Sequence, residues 1–259
     1  MTETKEIHRF QNVSSVGEII EIANLFGPGC SIIFRGENDT FETLQPKIGR
    51  IFRNMKSPLA LEILSEKTDD DEARTYFRDI ELDSYRQFFK MCEPHIGFRP
   101  EKDDALRALV LGHHYGLPTR LLDWTQNILV GAFFAVQNNP GRDCRIYTLN
   151  TEEEVDLLDL LAETNELVAK FSPPFIHQRI INQASIFTVH PNPLDDLLRL
   201  VTNDPEYNEV NIEVLEIKGS KVKKLAEELS YFGVNASTIW PDLSGVANHV
   251  EWYLSNEML

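Results

Sequence analysis

Several familiar signatures are missing from this sequence of 259 residues, and each absence narrows the choice of function. Cysteine is scarce: Cys30, Cys92 and Cys144 are scattered without CxxC spacing, which argues against a disulfide framework or a zinc site. No P-loop, Rossmann glycine set, HExxH or GxSxG occurs, which removes the common nucleotide-binding, zinc-protease and hydrolase templates. No apolar run is long enough to span a membrane and the N-terminus lacks a signal region, so we expect a cytoplasmic protein without a membrane partner.

Positive charge is also in short supply. The sequence has 25 lysines and arginines against 41 aspartates and glutamates, a net charge of −16. Such an acidic surface repels phosphate backbones, so broad electrostatic binding to nucleic acid is disfavoured, although a small basic cleft is compatible with it. Hydrophobic residues make up 42% and charged residues 25%, an ordinary globular composition. We expect a single domain over residues 1–259 with a helical insertion around residues 57–115.

The hydrophobic patterning predicts an α+β fold with a mostly antiparallel mixed sheet. Strands are predicted at residues 30–36, 145–149, 183–189 and 210–217. Helices are predicted at residues 16–25, 59–66, 71–91, 103–115, 126–135, 221–231 and 243–254, whereas residues 40–51, which include Pro46, are predicted to be irregular. Strands and helices do not alternate regularly, which disfavours a doubly wound parallel sheet.

Arg35 follows the apolar residues of the first predicted strand and precedes Gly36. A charged residue at the end of a buried strand is costly unless it is paired. One interpretation is that Arg35 clamps a ligand phosphate or carboxylate with its two-donor fork. The other is a structural pairing of Arg35 with Asp123 or Glu37. Gly36 permits a close backbone approach or a positive φ.

The densest group of polar side chains follows the predicted helix 103–115. Groups of this kind on a loop beside a buried helix are typical of a binding site, and an indole offers a stacking face for a flat ring. The candidates are His114, Tyr115, Thr119, Arg120, Asp123, Trp124 and Thr125. The alternative is a structural network in which Arg120 pairs with Asp123 and Trp124 lies in the core. No metal is expected, because adjacent histidines at 113 and 114 point in different directions on a helix.

A third polar segment, residues 182–185, opens the predicted strand at 183–189. Its Gln183 has an amide that can hydrogen-bond a ligand, although a glutamine in this setting is more often a sheet-edge or capping residue. From the residues alone, both interpretations of Gln183 stay open.

These segments together resemble the FRG domain family, which is named for the tripeptide found here as Phe34-Arg35-Gly36. A second family motif is similar to residues 112–127, GHHYGLPTRLLDWTQN, followed by AFFA at 132–135. Residues 179–188 and 236–245 resemble further parts of the family, so the likeness covers nearly the whole chain. Family members commonly have Gln at the position of His113 and Gly at the position of Ser185, which bears on hydrogen bonding beside His114 and on the bend after Gln183.

The order of motifs is also similar to that of ADP-ribosyltransferases. These enzymes commonly carry a strand ending in Arg-Gly, a Ser- or Thr-containing strand, a helix ending in Phe-Ala, another strand, and a last strand with Glu or Gln. Here Arg35-Gly36, Thr125, Phe134-Ala135, residues 145–149 and Gln183 follow in that order. This resemblance implies an ADP-ribosyltransferase-like fold and NAD as the donor substrate.

The resemblance also implies roles for the candidate residues. Arg35 and Gly36 would hold the pyrophosphate or ribose, Thr125 would support the nicotinamide ribose, and Trp124 or Tyr115 would stack on a ring. His114, Thr119 and Arg120 would complete the NAD site. Arg35, Gln183 and Asp123 are the catalytic candidates. Gln183 carries no charge, so Glu37 or Asp123 would have to stabilise the oxocarbenium-like transition state.

The expected function is therefore that of an ADP-ribosyltransferase-like enzyme, acting as a toxin or antiviral defence effector. It would modify a macromolecular acceptor, protein or nucleic acid, and be regulated by a partner such as an antitoxin. The alternative is a non-catalytic module that binds a nucleotide or anion in the same cleft. A metal-free nuclease is disfavoured by the acidic composition.

Overall fold

The protein has an α+β fold built on a seven-stranded mixed sheet, seen in a computed structural model. The structure describes residues 5–27, 31–40, 43–56, 58–63, 70–96, 105–155, 167–175 and 177–256. The strands in these ranges are β1 His8–Val13, β2 Ile32–Glu37, β3 Leu121–Thr125, β4 Cys144–Asn150, β5 Ala169–Phe171, β6 Ser185–Val189 and β7 Asn211–Ile217. The α-helices are α1 Val16–Leu25, α2 Lys47–Arg53, α3 Pro58–Ile63, α4 Asp70–Ile96, α5 Ala105–His114, α6 Ile128–Val136, α7 Gln178–Asn182, α8 Leu197–Asn203, α9 Gly219–Tyr231, α10 Ala236–Ile239 and α11 Leu243–Ser255, with a 3₁₀ turn at Pro205–Tyr207.

The strands lie in the order β1-β7-β4-β2-β3-β6-β5. Only the pair of β1 with β7 is parallel, and the other neighbours in this described sheet are antiparallel. The prediction of a mixed, mostly antiparallel sheet that joins the four predicted strands is therefore confirmed. The edge strands β1 and β5 were not predicted. Cys30, the expected first residue of β2, lies outside the described residues.

Both faces of the sheet are covered. Successive residues along β2 belong to different hydrophobic clusters: Ile33 packs with Tyr147 on one face, and Phe34 packs with Ile146 on the other. This alternation is what the period of two in a strand requires. On the Phe34 side lies α6, which is buried almost all round. A Cβ on Gly36 would come within 1.9 Å of the Gly131 carbonyl oxygen of α6, so Gly36 permits the close approach of helix and strand.

Residues 40–51 correct the sequence prediction, because α2 occupies Lys47–Arg53. Pro46 stands at the N-cap and thus precedes the helix instead of interrupting it. Ile48 and Phe52, four residues apart, are buried against α3 and α4. A Cβ on Gly49 would come within 1.7 Å of the Pro193 carbonyl oxygen, so this glycine seats α2 on the loop before α8.

Helices α4 and α5 pack against the half of the sheet formed by β3, β6 and β5. Leu109 and Val110 of α5 pack with Leu121 of β3 and Phe187 of β6. The helical insertion around residues 57–115 stays a prediction, because residues 57, 64–69 and 97–104 lie outside the described part of the chain. Among the helices that the structure describes, none has the length and apolar character to cross a membrane.

Candidate functional site

The main cleft opens where the central strands β2 and β3 separate. The two strands pair at a single position, Phe34 with Thr125, while β2 continues to pair with β4 as far as Glu37. The gap forms a cleft of about 510 Å³ between α2, the end of α5, α6 and α7. It is lined by residues of all three predicted motifs, among them Arg35, Gly36, His114, Asp123, Trp124, Thr125 and Gln183. The predicted convergence of Arg35, His114, Asp123 and Gln183 on one cleft is therefore confirmed.

Arg35 spans the gap between the two strands. Its Nε donates to Glu37 Oε1 at 2.7 Å, and its Nη1 donates to the main-chain oxygen of Asp123 at 2.7 Å. Nη1 also lies 4.0 Å from Asp123 Oδ2. The side chain of Arg35 is only 15% exposed, so these partners offset the cost of burying its charge. The structural pairing of Arg35 considered from the sequence thus exists, and the same contacts fix the guanidinium at the edge of the cleft.

Asp123 lies on the floor of the cleft beside His113. The Nε2 of His113 donates to Asp123 Oδ1 at 2.8 Å, and Nδ1 lies 2.7 Å from the buried hydroxyl of Thr119. The Asp123 side chain keeps 65% of its surface exposed to the cleft. Desolvation by the cleft walls opposes its charge, but His113 and Arg35 outweigh this effect and hold the pKa of Asp123 below its ordinary value. Asp123 therefore presents a permanent negative charge to any ligand.

Gln183 and Thr125 lie together at another part of the cleft. The Thr125 hydroxyl donates to the main-chain oxygen of Gln183 at 2.6 Å and accepts from the Asn127 N–H at 3.0 Å. Gln183 is the C-cap of α7 and not part of the strand, which corrects the predicted strand start at 183. The chain turns at Ala184, whose φ is 44°, and β6 begins at Ser185. The Gln183 side chain makes no hydrogen bond to the described residues, so its amide is available to a ligand.

The second motif divides between the cleft and the core. Trp124 is 3% exposed and its Nε1 donates to Thr188 Oγ1 at 3.0 Å, so the indole is a core side chain and not an open stacking face. Thr119 is 0% exposed and acts by holding His113. Tyr115 is 64% exposed and does not belong to the lining of the cleft. From the sequence, Trp124 could either stack on a ligand or lie in the core, and the structure places its indole in the core.

Arg120 also lies away from the cleft lining. It forms an ion pair with Glu81 of α4, with Nε to Oε2 at 2.8 Å, and the main-chain N–H of Arg120 donates to Glu81 Oε1 at 3.0 Å. The alternative in which Arg120 pairs with Asp123 is therefore wrong, and so is the placement of Arg120 in the cleft. Arg120 directly precedes β3, and its side chain points towards α4, a helix that no pattern in the sequence connects to this segment.

His114 lines the cleft and is held neutral by its surroundings. The rings of His114 and His177 lie 4.3 Å apart between centroids. Burial, followed by the neighbouring His177 and Arg179, lowers the pKa of His114 to about 4. Protonation of one ring would place its charge against these neighbours, so His114 serves at neutral pH as an uncharged ring or hydrogen-bonding group.

Among the ionisable residues that line the cleft, four were not site candidates from the sequence: His113, Lys47, Arg50 and Arg179. His113 directly precedes a candidate, and Arg179 opens the third motif and pairs with Asp242, Nε to Oδ2 at 3.0 Å. Lys47 and Arg50 are three residues apart behind Pro46, a spacing that puts them on one face once α2 is recognised. Within the described residues, no group of three or more His, Cys, Asp or Glu side chains is arranged to hold a metal ion.

Comparison with known proteins agrees with the motifs of the cleft. The family model of the FRG domain matches residues 30–144. No curated protein and no solved structure matches the chain. The matched segment contains β2, β3, Arg35 and the pair of His113 and Asp123, which form the floor of the cleft. Residues 30–144 of this chain therefore match the FRG domain, whereas the likeness of residues 179–188 and 236–245 to that family stays a prediction.

Proposed function

We propose that this chain is an NAD-dependent ADP-ribosyltransferase-like enzyme whose active site is the cleft between β2 and β3. The observation that carries the proposal is the convergence of the three motifs. The Arg-Gly pair on β2, Thr125 on β3 and Gln183 before β6 come from distant parts of the chain, yet β2, β3 and β6 are neighbours in the sheet and these residues line one cleft. The same residues carry the likeness to ADP-ribosyltransferases in the sequence.

The charges of the cleft support an anionic donor such as NAD. Arg35, Lys47, Arg50 and Arg179 line it, opposed by the carboxylates of Glu37 and Asp123. The cleft therefore has four cations against two carboxylates, whereas the whole chain has a net charge of −16. Phosphate groups prefer such cations, and an arginine held by neighbours loses little freedom when it binds. The pairing of Arg35 with Glu37 keeps its guanidinium oriented before any ligand arrives.

Asp123 is the residue best suited to the chemical step. In the proposed reaction, the bond between ribose C1′ and nicotinamide breaks, its electron pair leaves on nicotinamide, and an acceptor nucleophile bonds to C1′ and gives up its proton. Positive charge develops on the ribose, and a fixed negative charge stabilises it. Asp123 stays ionised because His113 and Arg35 lower its pKa, so it can supply this charge, which Gln183 lacks. The free amide of Gln183 would hydrogen-bond ribose hydroxyls.

Further features of the proposal follow from the resemblance. The acceptor is a macromolecule, the enzyme acts in the cytoplasm as a toxin or antiviral defence effector, and a regulatory protein such as an antitoxin restrains it. The cleft does not distinguish a protein acceptor from a nucleic acid one. Its open side, where Asp123 is 65% exposed, leaves room for a nucleophile to reach the donor.

The test is incubation of the protein with labelled NAD⁺ and a cell lysate. We expect release of nicotinamide and transfer of label to a macromolecule. Asp123→Asn should reduce nicotinamide release by about 10²–10³-fold, the effect of removing one preorganised electrostatic group. Asp83→Asn, which removes an exposed carboxylate of α4, is the matched control and should act like the wild type. Equal release by wild type and Asp123→Asn would contradict the catalytic role of Asp123.

A non-catalytic module that binds a nucleotide or anion is the second candidate. It is favoured by the internal pairing of the cleft, since Arg35 and Asp123 are already engaged by Glu37 and His113, and by the uncharged Gln183. Such a module would be stabilised thermally by NAD⁺ or ADP-ribose while nicotinamide release stays at the level of buffer. Release above that level would exclude it.

A further inference from the structure

Helix α2 brings two cations to the cleft that neither the sequence motifs nor the proposed chemical step uses. Lys47 and Arg50 lie three residues apart, on the same face of the helix, and both line the cleft opposite the strands. They therefore share the wall of the cleft that α2 forms, whereas Thr125 belongs to β3 and Gln183 to the end of α7.

The two cations lack the carboxylate partners that the other cleft arginines have. Arg35 pairs with Glu37 and Arg179 pairs with Asp242. By contrast, Lys47 Nζ donates only to the Gly116 main-chain oxygen at 2.8 Å, and Arg50 Nη1 donates to the Gln45 main-chain oxygen at 2.5 Å. No carboxylate of the described residues lies within 4.0 Å of either side chain. Most of their donors are thus free, although acidic residues are abundant in the chain.

Helix α2 is firmly seated, so these cations are held in place. Ile48 and Phe52 are buried on its opposite face, and Gly49 lies directly against Pro193. The Gln45 side chain just before the helix donates to the Leu194 main-chain oxygen at 2.6 Å. A site whose charges are fixed before binding loses less entropy when it takes up its ligand.

Arg35 of β2 and Arg50 of α2 repel each other. Burial, followed by the charge of Arg35, lowers the pKa of Arg50, and the charges of Glu37 and Asp123 offset only part of this effect. This mutual repulsion is relieved when an anion enters between the guanidinium groups. Lys47 and Arg50, which have no carboxylate within ion-pair distance, line the same cleft as Arg35, and three cations match two negative charges better than one.

We propose that Lys47, Arg50 and Arg35 form a subsite for the diphosphate of the ligand, so that the cleft selects nucleoside diphosphate compounds over monophosphates and nucleosides. The inference rests on the proposed function for the identity of the donor, NAD, but concerns binding alone. Arg35 holds the end of the diphosphate nearest Asp123, and the α2 cations hold the rest. Arg35 contributes its planar fork, whereas Lys47 contributes a point charge.

The test is titration calorimetry with ADP-ribose, inorganic pyrophosphate and AMP. ADP-ribose carries the diphosphate but no nicotinamide, so its binding is independent of turnover. We expect Lys47→Gln and Arg50→Gln each to weaken ADP-ribose and pyrophosphate binding about 10- to 100-fold, the range for charged hydrogen bonds, and AMP binding less. Lys223→Gln, which removes an exposed charge from α9 outside the cleft, is the matched control and should bind like the wild type. Melting curves verify that all variants are folded.

The diphosphate subsite would be overturned if both α2 variants bound ADP-ribose as tightly as Lys223→Gln does. It would also be overturned if the wild type bound AMP as tightly as ADP-ribose, or if it bound neither ADP-ribose nor pyrophosphate. The proposed reaction can fail separately: ADP-ribose binding that depends on Lys47 and Arg50, without nicotinamide release from NAD⁺, would keep the subsite and exclude the enzyme.

Discussion

Two arginine–carboxylate groups lie close together at β3 and differ in their exposure to solvent. Arg120 pairs with Glu81, and their side chains are 15% and 3% exposed. Arg35 is also 15% exposed, but its neighbours Glu37 and Asp123 are 31% and 65% exposed. The first group is closed on both sides, with Glu81 held further by the Tyr85 hydroxyl at 2.5 Å. The second is closed on the arginine side and open on the carboxylate side.

The difference separates a structural ion pair from a site. A closed pair has no surface left for a ligand, and it joins α4 to the start of β3. The open group keeps a buried, oriented cation and turns a carboxylate towards the cleft. Both arginines belong to motifs that resemble the same family, so residue type alone does not show which of them is structural and which belongs to a site. The exposure of the partner carboxylate distinguishes the two.

The largest effect is expected from breaking the closed pair. Glu81→Gln leaves the buried charge of Arg120 without its counter-ion and should lower the free energy of unfolding by about 3–5 kcal/mol. Asp83→Asn on the same helix removes a partner of the exposed Arg86 and should cost less than about 1 kcal/mol. Urea denaturation of both variants measures the difference. If the two variants lost similar amounts of unfolding free energy, the closed pair would stabilise the fold no more than an exposed ion pair does.

The open group should contribute less to stability. Arg35→Ala removes the hydrogen bonds to Glu37 and to the Asp123 main chain, and water reaches the partly exposed carboxylates in place of the guanidinium. We expect a loss of about 1–3 kcal/mol in the free energy of unfolding, smaller than that of Glu81→Gln in the same denaturation experiment. If Arg35→Ala is the more destabilising variant, the distinction between the closed and the open group does not hold.

The smallest effect is a pH dependence that belongs to the open cleft. Folding lowers the pKa of His114 from 6.5 to about 4, so the unfolded chain binds a proton first as the pH falls. The free energy of unfolding should therefore decrease between about pH 6.5 and pH 4 and be unaffected by this group at higher pH. His114→Gln should reduce the slope of unfolding free energy against pH in that window, and the buried His190, whose pKa is also lowered, should account for the slope that remains. An unchanged slope would mean that His114 is not held neutral by the fold.

Much of the sheet follows from local patterns, and its edges do not. The strands at 145–149 and 210–217 alternate or run apolar, and they appear nearly as predicted in β4 and β7. The edge strand β1 is polar and finds its partner β7 some two hundred residues away, in parallel register from His8 to Glu213. A pairing so distant leaves no mark in a local window. Helix α2 was not predicted because proline usually interrupts a helix, whereas Pro46 stands at the N-cap, before the first turn.

The site was partly predictable for the same reason. Arg35, His114, Asp123 and Gln183 stand in recognisable motifs, and their meeting required only that β2, β3 and β6 be neighbours. The partners of individual side chains could not be predicted without knowing how the helices pack on the sheet. Arg120 turned to Glu81, and Trp124 turned to Thr188, because those partners come from α4 and β6. His113 belongs to the site because its ring hydrogen-bonds Asp123, ten residues later in the chain. The sequence does not reveal this contact, because it shows only that His113 precedes His114.

The most direct test of the central claim is Arg35→Lys, followed by melting and by NAD⁺ turnover. Lysine keeps the charge near Glu37 and Asp123 but not the planar two-donor fork. The account predicts a melting curve close to that of the wild type and a loss of about 2–4 kcal/mol in transition-state stabilisation. Arg86→Lys, a change at an exposed arginine of α4, is the control and should leave turnover unchanged. Full turnover by a well-folded Arg35→Lys would contradict the claim that Arg35 clamps the ligand and would leave it a structural residue.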